Sequence, residues 1–90
     1  MIVAYRYRVS GRVQGVGFRF FTEDAAVREG LSGHARNLAD GRVEIAVEGE
    51  AEAVARFERT IRQGPPGARV EEVTTEAEPP TGRVTGFRIR

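Results

Sequence analysis

Ninety residues, 14 of them cationic and 13 acidic, give a formal net charge of +1, which leaves no general basic footprint for nucleic acid or an anionic membrane. The chain has no cysteine, which excludes disulfides, thiolate nucleophiles and Cys-based zinc or iron–sulfur sites; its one histidine, His34, excludes a His-rich metal site. No apolar run approaches the ~18 residues that span a bilayer, and the first residues lack the charged-then-apolar pattern of a signal peptide, so a cytoplasmic address is expected. All the cationic residues are arginine, a bias too general to carry functional weight by itself. The length predicts one domain, 1–90, with a single apolar layer between a sheet and its helices.

Over 3–9, Val3, Tyr5, Tyr7 and Val9 alternate with Ala4, Arg6 and Arg8, which is the period of a strand. Residues 10–17 carry Gly11, Gly15 and Gly17 and read as a loop. Over 18–29, Phe18, Phe21, Thr22, Ala25 and Ala26 fall at helical spacing, and Gly30 supplies a stop. A weaker strand over 31–37 is followed by the turn Leu38-Ala39-Asp40-Gly41, Asp-Gly being a strong short turn cue. Val43, Ile45 and Val47 alternate with Glu44, Ala46 and Glu48 in a further strand. Over 51–63, Val54, Phe57 and Ile61 mark one face of a helix that Gly64-Pro65-Pro66-Gly67 ends. Val70 and Val73 lie in a strand over 68–76, Pro79-Pro80-Thr81-Gly82 is a loop, and Phe87 and Ile89 sit at strand spacing in a short terminal segment.

The order βαββαβ predicts an α+β fold, the ferredoxin-like split βαβ sandwich. It would have an antiparallel sheet, both helices on one face and a short C-terminal edge strand. Many functions share that topology, so the site must decide among them.

The most informative stretch is Gly11-Arg12-Val13-Gln14-Gly15-Val16-Gly17-Phe18-Arg19, between a strand and a helix. Glycines there let successive amides turn inward as an anion-binding nest, to which the helix start adds its unpaired N–H groups. Arg19 would face the same concavity and hold a phosphoryl group through two parallel hydrogen bonds. Spacing alone favours a plainer reading, a glycine-rich turn beside a surface arginine. Two phosphate motifs do not fit. A Walker loop needs lysine, and the dinucleotide fingerprint needs glycine where Phe20 stands. Glu23 and Asp24 are adjacent on a helix and diverge, so they form no magnesium pair and read as solvated acids near the helix start.

That stretch resembles the acylphosphatase motif Gly-x-Val-Gln-Gly-Val-x-Phe-Arg. Gly33-His34-Ala35-Arg36-Asn37, with Asp40-Gly41-Arg42-Val43 after it, is similar to the family's second motif, Gly-x-Val-x-Asn before a turn and a Gly-x-Val strand. Gly64-Pro65-Pro66 and the closing Phe87-Arg88-Ile89 also resemble the family, so the likeness runs from about Tyr5 to Arg90. Two departures are His34, where the family often carries tryptophan, and Ala35, where it carries valine. Both are read as packing positions beside the site, and His34 as a strand residue, not a catalytic base.

The resemblance implies a hydrolase that cleaves the carboxyl–phosphate bond of an acyl phosphate, with no metal and no cofactor. Gln14, Gly15, Val16, Gly17 and Phe18 would hold the phosphoryl oxygens through their amides, together with Arg19, and Asn37 would aim the attacking water. Without the motif, Asn37 reads first as a turn residue. The implied partners are an acyl phosphate substrate and inorganic phosphate as product and inhibitor. Neither nucleic acid nor membrane is expected, and the molecule is expected to be a monomer. The alternative is a non-catalytic RNA- or phosphate-binding module on the same fold, with Tyr5 and Tyr7 as base-stacking aromatics. Against it, the neighbouring strand carries Glu44 and Glu48 and no aromatic. A third possibility is a carbamoyl-phosphate-handling domain of a larger maturation enzyme, for which the chain is short.

Overall fold

The chain folds in the order β1 (Ile2–Arg12), α1 (Phe18–Arg28), β2 (Ser32–Asn37), β3 (Val43–Glu50), α2 (Ala51–Gln63), β4 (Arg69–Glu78) and β5 (Phe87–Ile89); the computed structural model describes all of residues 1–90. The five strands form one sheet, β4-β1-β3-β2-β5. Period-two alternation gives the sheet two unlike faces. Tyr7 and Val9 of β1, Val43, Ile45 and Val47 of β3, and Ala35 of β2 are buried on the inner face. α2 lays Ala53, Val54, Phe57 and Ile61 against it, and α1 adds Phe18, Thr22, Ala25 and Ala26. One apolar cluster of 16 buried residues results. α1 stops because Gly30 takes φ 70°. That conformation lets Gly30 N–H donate to the Val27 carbonyl at 3.1 Å and Leu31 N–H to the Ala26 carbonyl at 2.9 Å, the paired bonds that satisfy a helix end through a left-handed glycine.

β1 runs further than expected, through Ser10, Gly11 and Arg12, residues whose glycine suggests a loop. Its pairing with β4 shifts register between Ser10 and Gly11. Gly11 has φ 120°, and a Cβ there would run into the Arg69 carbonyl oxygen. The glycine therefore marks a bulge inside a strand.

The four longer strands pair antiparallel, but β5 lies parallel to β2, so the sheet is mixed. The cause is geometric. Glu78 at the end of β4 sits opposite Ala4, at the same end of the sheet where β2 begins opposite Glu48. Residues 79–86 cross beneath the sheet from one edge to the other, and β5 can only run back in the direction of β2. The Glu48 carboxylate pins this crossing, accepting the Thr81 N–H at 2.8 Å, the Thr81 hydroxyl at 2.9 Å and the Gly82 N–H at 2.7 Å.

Tyr5 and Tyr7 point toward the helices. Their rings lie 6.1 Å apart, and Tyr7, fully buried, packs 6.3 Å from Phe57. The face left uncovered carries Arg6, Arg8 and Glu44 instead, so the aromatic platform that a base-stacking RNA module requires is absent.

Candidate active site

Residues 13–17 join β1 to α1, and glycine sets their shape. Gly15 and Gly17 both have φ 76°, while no residue other than glycine has positive φ, so handedness alternates along Gln14, Gly15, Val16, Gly17 and Phe18. Alternation of this kind turns consecutive N–H groups toward one side and makes a nest for an anion. The amides of Gln14, Gly15, Val16 and Gly17 donate to no backbone acceptor. The first bond of α1 is that from Phe21 N–H to the Gly17 carbonyl, at 3.0 Å, so the amides before it are also available at the positive end of the helix.

These groups border a small cleft of about 180 Å³ lined by Val13, Gly15, Gly17, Phe18, Arg19, Phe20 and Asn37. Of the residues singled out in the sequence, Gly15, Gly17, Phe18, Arg19 and Asn37 meet there. Gln14 and Val16 do not line it. Val16 packs its side chain against the core, and its amide has no backbone acceptor. Gln14 uses its side chain elsewhere: Nε2 donates to the Leu38 carbonyl at 2.8 Å and to the Arg42 carbonyl at 3.0 Å. This clamp fixes the loop against the β2–β3 turn, and so fixes the distance between the two halves of the cleft. Nothing in the sequence distinguishes that use of Gln14 from a solvated side chain.

Arg19 lies in the first turn of α1 and is partly exposed. Its Nη1 donates to the Arg90 main-chain oxygen at 3.0 Å, and it forms no ion pair with any Asp or Glu side chain. Asn37 ends β2 opposite Val43. The turn after it is held by other groups, Leu38 N–H on the Arg42 carbonyl at 2.8 Å and the Asp40 carboxylate on the Arg42 N–H at 3.1 Å. The Asn37 carboxamide takes no part in those bonds.

His34 lies elsewhere. Alternation along β2 sends Ala35 into the core and His34 to the open face of the sheet, where it is paired with Ala46 and Arg88. The expectation that it packs beside the site fails for that reason. Val13 and Phe20 are the cleft residues that sequence reasoning missed. Phe20 is 66% exposed at its mouth, a position helical spacing assigns only to solvent. No three His, Asp or Glu side chains are grouped as a metal site, and the cleft contains no histidine and no carboxylate.

The family model for acylphosphatase matches residues 5–89. The chain belongs to the acylphosphatase family. An acylphosphatase of Rubrobacter xylanophilus is 55% identical over 94% of this chain and 77% of its own. The crystal structure of acylphosphatase from Bacillus subtilis superposes with a TM-score of 0.94 at 37% identity, covering 100% of this chain and 99% of that one. HypF of T. kodakarensis contains a similar unit, with a TM-score of 0.85 and 36% identity over 98% of this chain but only 12% of HypF. The acylphosphatase match takes in the loop, Arg19 and Asn37 together, so the cleft falls inside the region the family shares.

Proposed function

We infer that this acylphosphatase hydrolyses the carboxyl–phosphate anhydride bond of acyl phosphates by direct attack of water, with no covalent phosphoenzyme. The reading is carried by one observation: Gly15 and Gly17, whose amides are unpaired, line a single cleft with Arg19 and Asn37. The amides of residues 14–18, of which Gly15, Gly17 and Phe18 line the cleft, hold the phosphoryl oxygens together with Arg19. Asn37 accepts a hydrogen bond from the water through its side-chain oxygen and donates one to the water oxygen through its amide.

The chemistry suits those groups. As the water oxygen bonds to phosphorus, the bond from phosphorus to the acyl oxygen breaks and its electron pair departs on the carboxylate. That leaving group has a conjugate-acid pKa of about 4, near that of a glutamate side chain, so it departs unprotonated at neutral pH and needs no general acid. Both protons of the water end on inorganic phosphate or in solvent. Phosphoryl transfer passes through a loose transition state with charge spread over the equatorial oxygens, so positioning and preorganised donors supply most of the catalysis. Here they take the place of a metal ion. Inorganic phosphate, as product, competes for the same amides. We read the molecule as a cytoplasmic monomer acting on a small substrate, with neither nucleic acid nor membrane as partner.

Benzoyl phosphate hydrolysis assayed in EDTA tests this reading. Removing one preorganised oxyanion donor costs roughly 10²–10³ in kcat, and Arg19→Ala, which removes a charged one, is expected to lose at least that while the native protein keeps its rate in the chelator. Unimpaired turnover by Arg19→Ala, or loss of native turnover in EDTA, would contradict it.

A further inference from the structure

The open face of the sheet divides its charge unevenly. Towards β1, three arginines converge on the buried Glu44 carboxylate: Arg6 at 3.1 Å, Arg8 at 3.2 Å and Arg36 at 2.8 Å. Arg6 and Arg8 also pair with Glu78 and Glu76. The β2–β5 edge has no such compensation. There Arg83, Arg88 and Arg90 line a concavity of about 320 Å³ with Gly33, His34 and Thr85. No Asp, Glu or apolar side chain lines it, and none of the three guanidiniums makes an ion pair. Glu48, whose charge Arg83 feels, is already occupied by three donors from Thr81 and Gly82.

The concavity is built rather than loose. Its wall is the crossing segment, held by Glu48, by Thr85 N–H on the Ser32 hydroxyl at 3.2 Å and by Gly33 N–H on the Gly86 carbonyl at 3.0 Å. Three guanidiniums without an ion-pair partner therefore border one concavity, only Arg83 feeling a side-chain carboxylate, that of Glu48. His34 is held below its usual pKa first by burial and then by Arg90, with Arg6 and Arg36 outside the concavity adding to it and Glu44 opposing.

We propose that this concavity is a second anion site that binds small multivalent oxyanions, of which linear polyphosphate is the simplest. Three exposed guanidiniums, a hydroxyl and an imidazole around one concavity exceed what one tetrahedral anion requires and match a ligand with several phosphoryl groups. The lining has no Phe, Tyr or Trp, so a nucleobase would find only the His34 ring and guanidinium planes to stack on, and charge rather than stacking dominates the recognition. None of its side chains lines the cleft at Arg19; the two sites touch only where Arg19 donates to the Arg90 main-chain oxygen, and the proposal does not rest on the hydrolase mechanism.

Tripolyphosphate binding by calorimetry, in an Arg19→Ala background that disables the first cleft, is the test. Single binding that weakens as ionic strength rises is expected. The His34 titration midpoint, followed by NMR on the only histidine, should rise when tripolyphosphate is bound. Adding Arg83→Ala and Arg88→Ala removes two charge-assisted contacts and should weaken binding more than about tenfold. With Arg19 restored, that pair of substitutions should leave benzoyl phosphate turnover unchanged. Absence of binding in Arg19→Ala, an affinity indifferent to Arg83 and Arg88, or an unmoved His34 would overturn the proposal. So would tighter binding of single-stranded RNA than of tripolyphosphate.

Discussion

Asn37 leaves the turn that follows it to Asp40 and to the main chain, and the residue lines the cleft. That division of labour gives the residue a signature in mutagenesis. Asn37→Ala removes an exposed side chain, so stability should change by less than about 0.5 kcal/mol. Loss of the aimed water should lower kcat roughly a hundredfold, as misplacement of a reactant by an ångström does. Inhibition by inorganic phosphate should persist, because the loop amides and Arg19 remain. Steady-state kinetics with phosphate as competitor measures both quantities, and a variant that lost phosphate inhibition along with turnover would place Asn37 among the phosphate ligands. The sequence could not choose between the two uses of this asparagine, since a turn residue and a site residue both sit well at a strand end. Only the hydrogen bonds of the turn separate them. Gln14 presents the converse case. Its position in the loop was legible, but its clamp onto Leu38 and Arg42 joins segments far apart in sequence.

At the scale of elements, periodicity carried the reading where one face is buried and the other wet. β3 alternates cleanly, and α2 keeps Val54, Phe57 and Ile61 on one stripe, so both were visible. What failed was glycine. Gly11 resembles Gly15 and Gly17 in sequence, yet it bulges a continuing strand while they shape the loop, and the difference lies in what stands opposite. A Cβ at Gly11 meets the Arg69 carbonyl, whereas one at Gly15 or Gly17 meets nothing within 4 Å. Gly11→Ala therefore combines a strained φ with a backbone clash and should destabilise by more than about 1 kcal/mol, read from urea denaturation. Wild-type stability in this variant would mean that the bulge is not fixed by glycine. The direction of β5 was equally hidden. It follows from where β4 ends in space, which no local pattern encodes.

Across the whole molecule the sheet separates two tasks. Its inner face supplies the apolar core. Its outer face is held by charge, with Glu44 at the centre of three arginines. Burial works against ionisation of Glu44, but the Arg36 hydrogen bond and the charges of Arg36, Arg6 and Arg8 outweigh it and hold the pKa below the usual carboxylate value. A depressed folded-state pKa contributes stability in full above the unfolded value of about 4.3, and that stability is lost as pH falls through the lower folded value. Glu44→Gln should cost about 1–3 kcal/mol at neutral pH. A fully buried pair would cost more, but Arg6, Arg8 and Arg36 remain 25%, 34% and 49% exposed and can rehydrate. Thermal melts between neutral and acidic pH read this directly: the gap between wild type and variant should narrow as Glu44 protonates. A gap independent of pH would assign the loss to packing instead.

The central claim is that the main chain of one loop, backed by Arg19, is the phosphoryl-binding element. Amide chemical shifts followed during titration with inorganic phosphate test it most directly. The account predicts saturable shifts concentrated at residues 14–19, with a midpoint equal to the competitive inhibition constant for benzoyl phosphate hydrolysis. Saturation that left those amides unmoved while turnover was inhibited would contradict it.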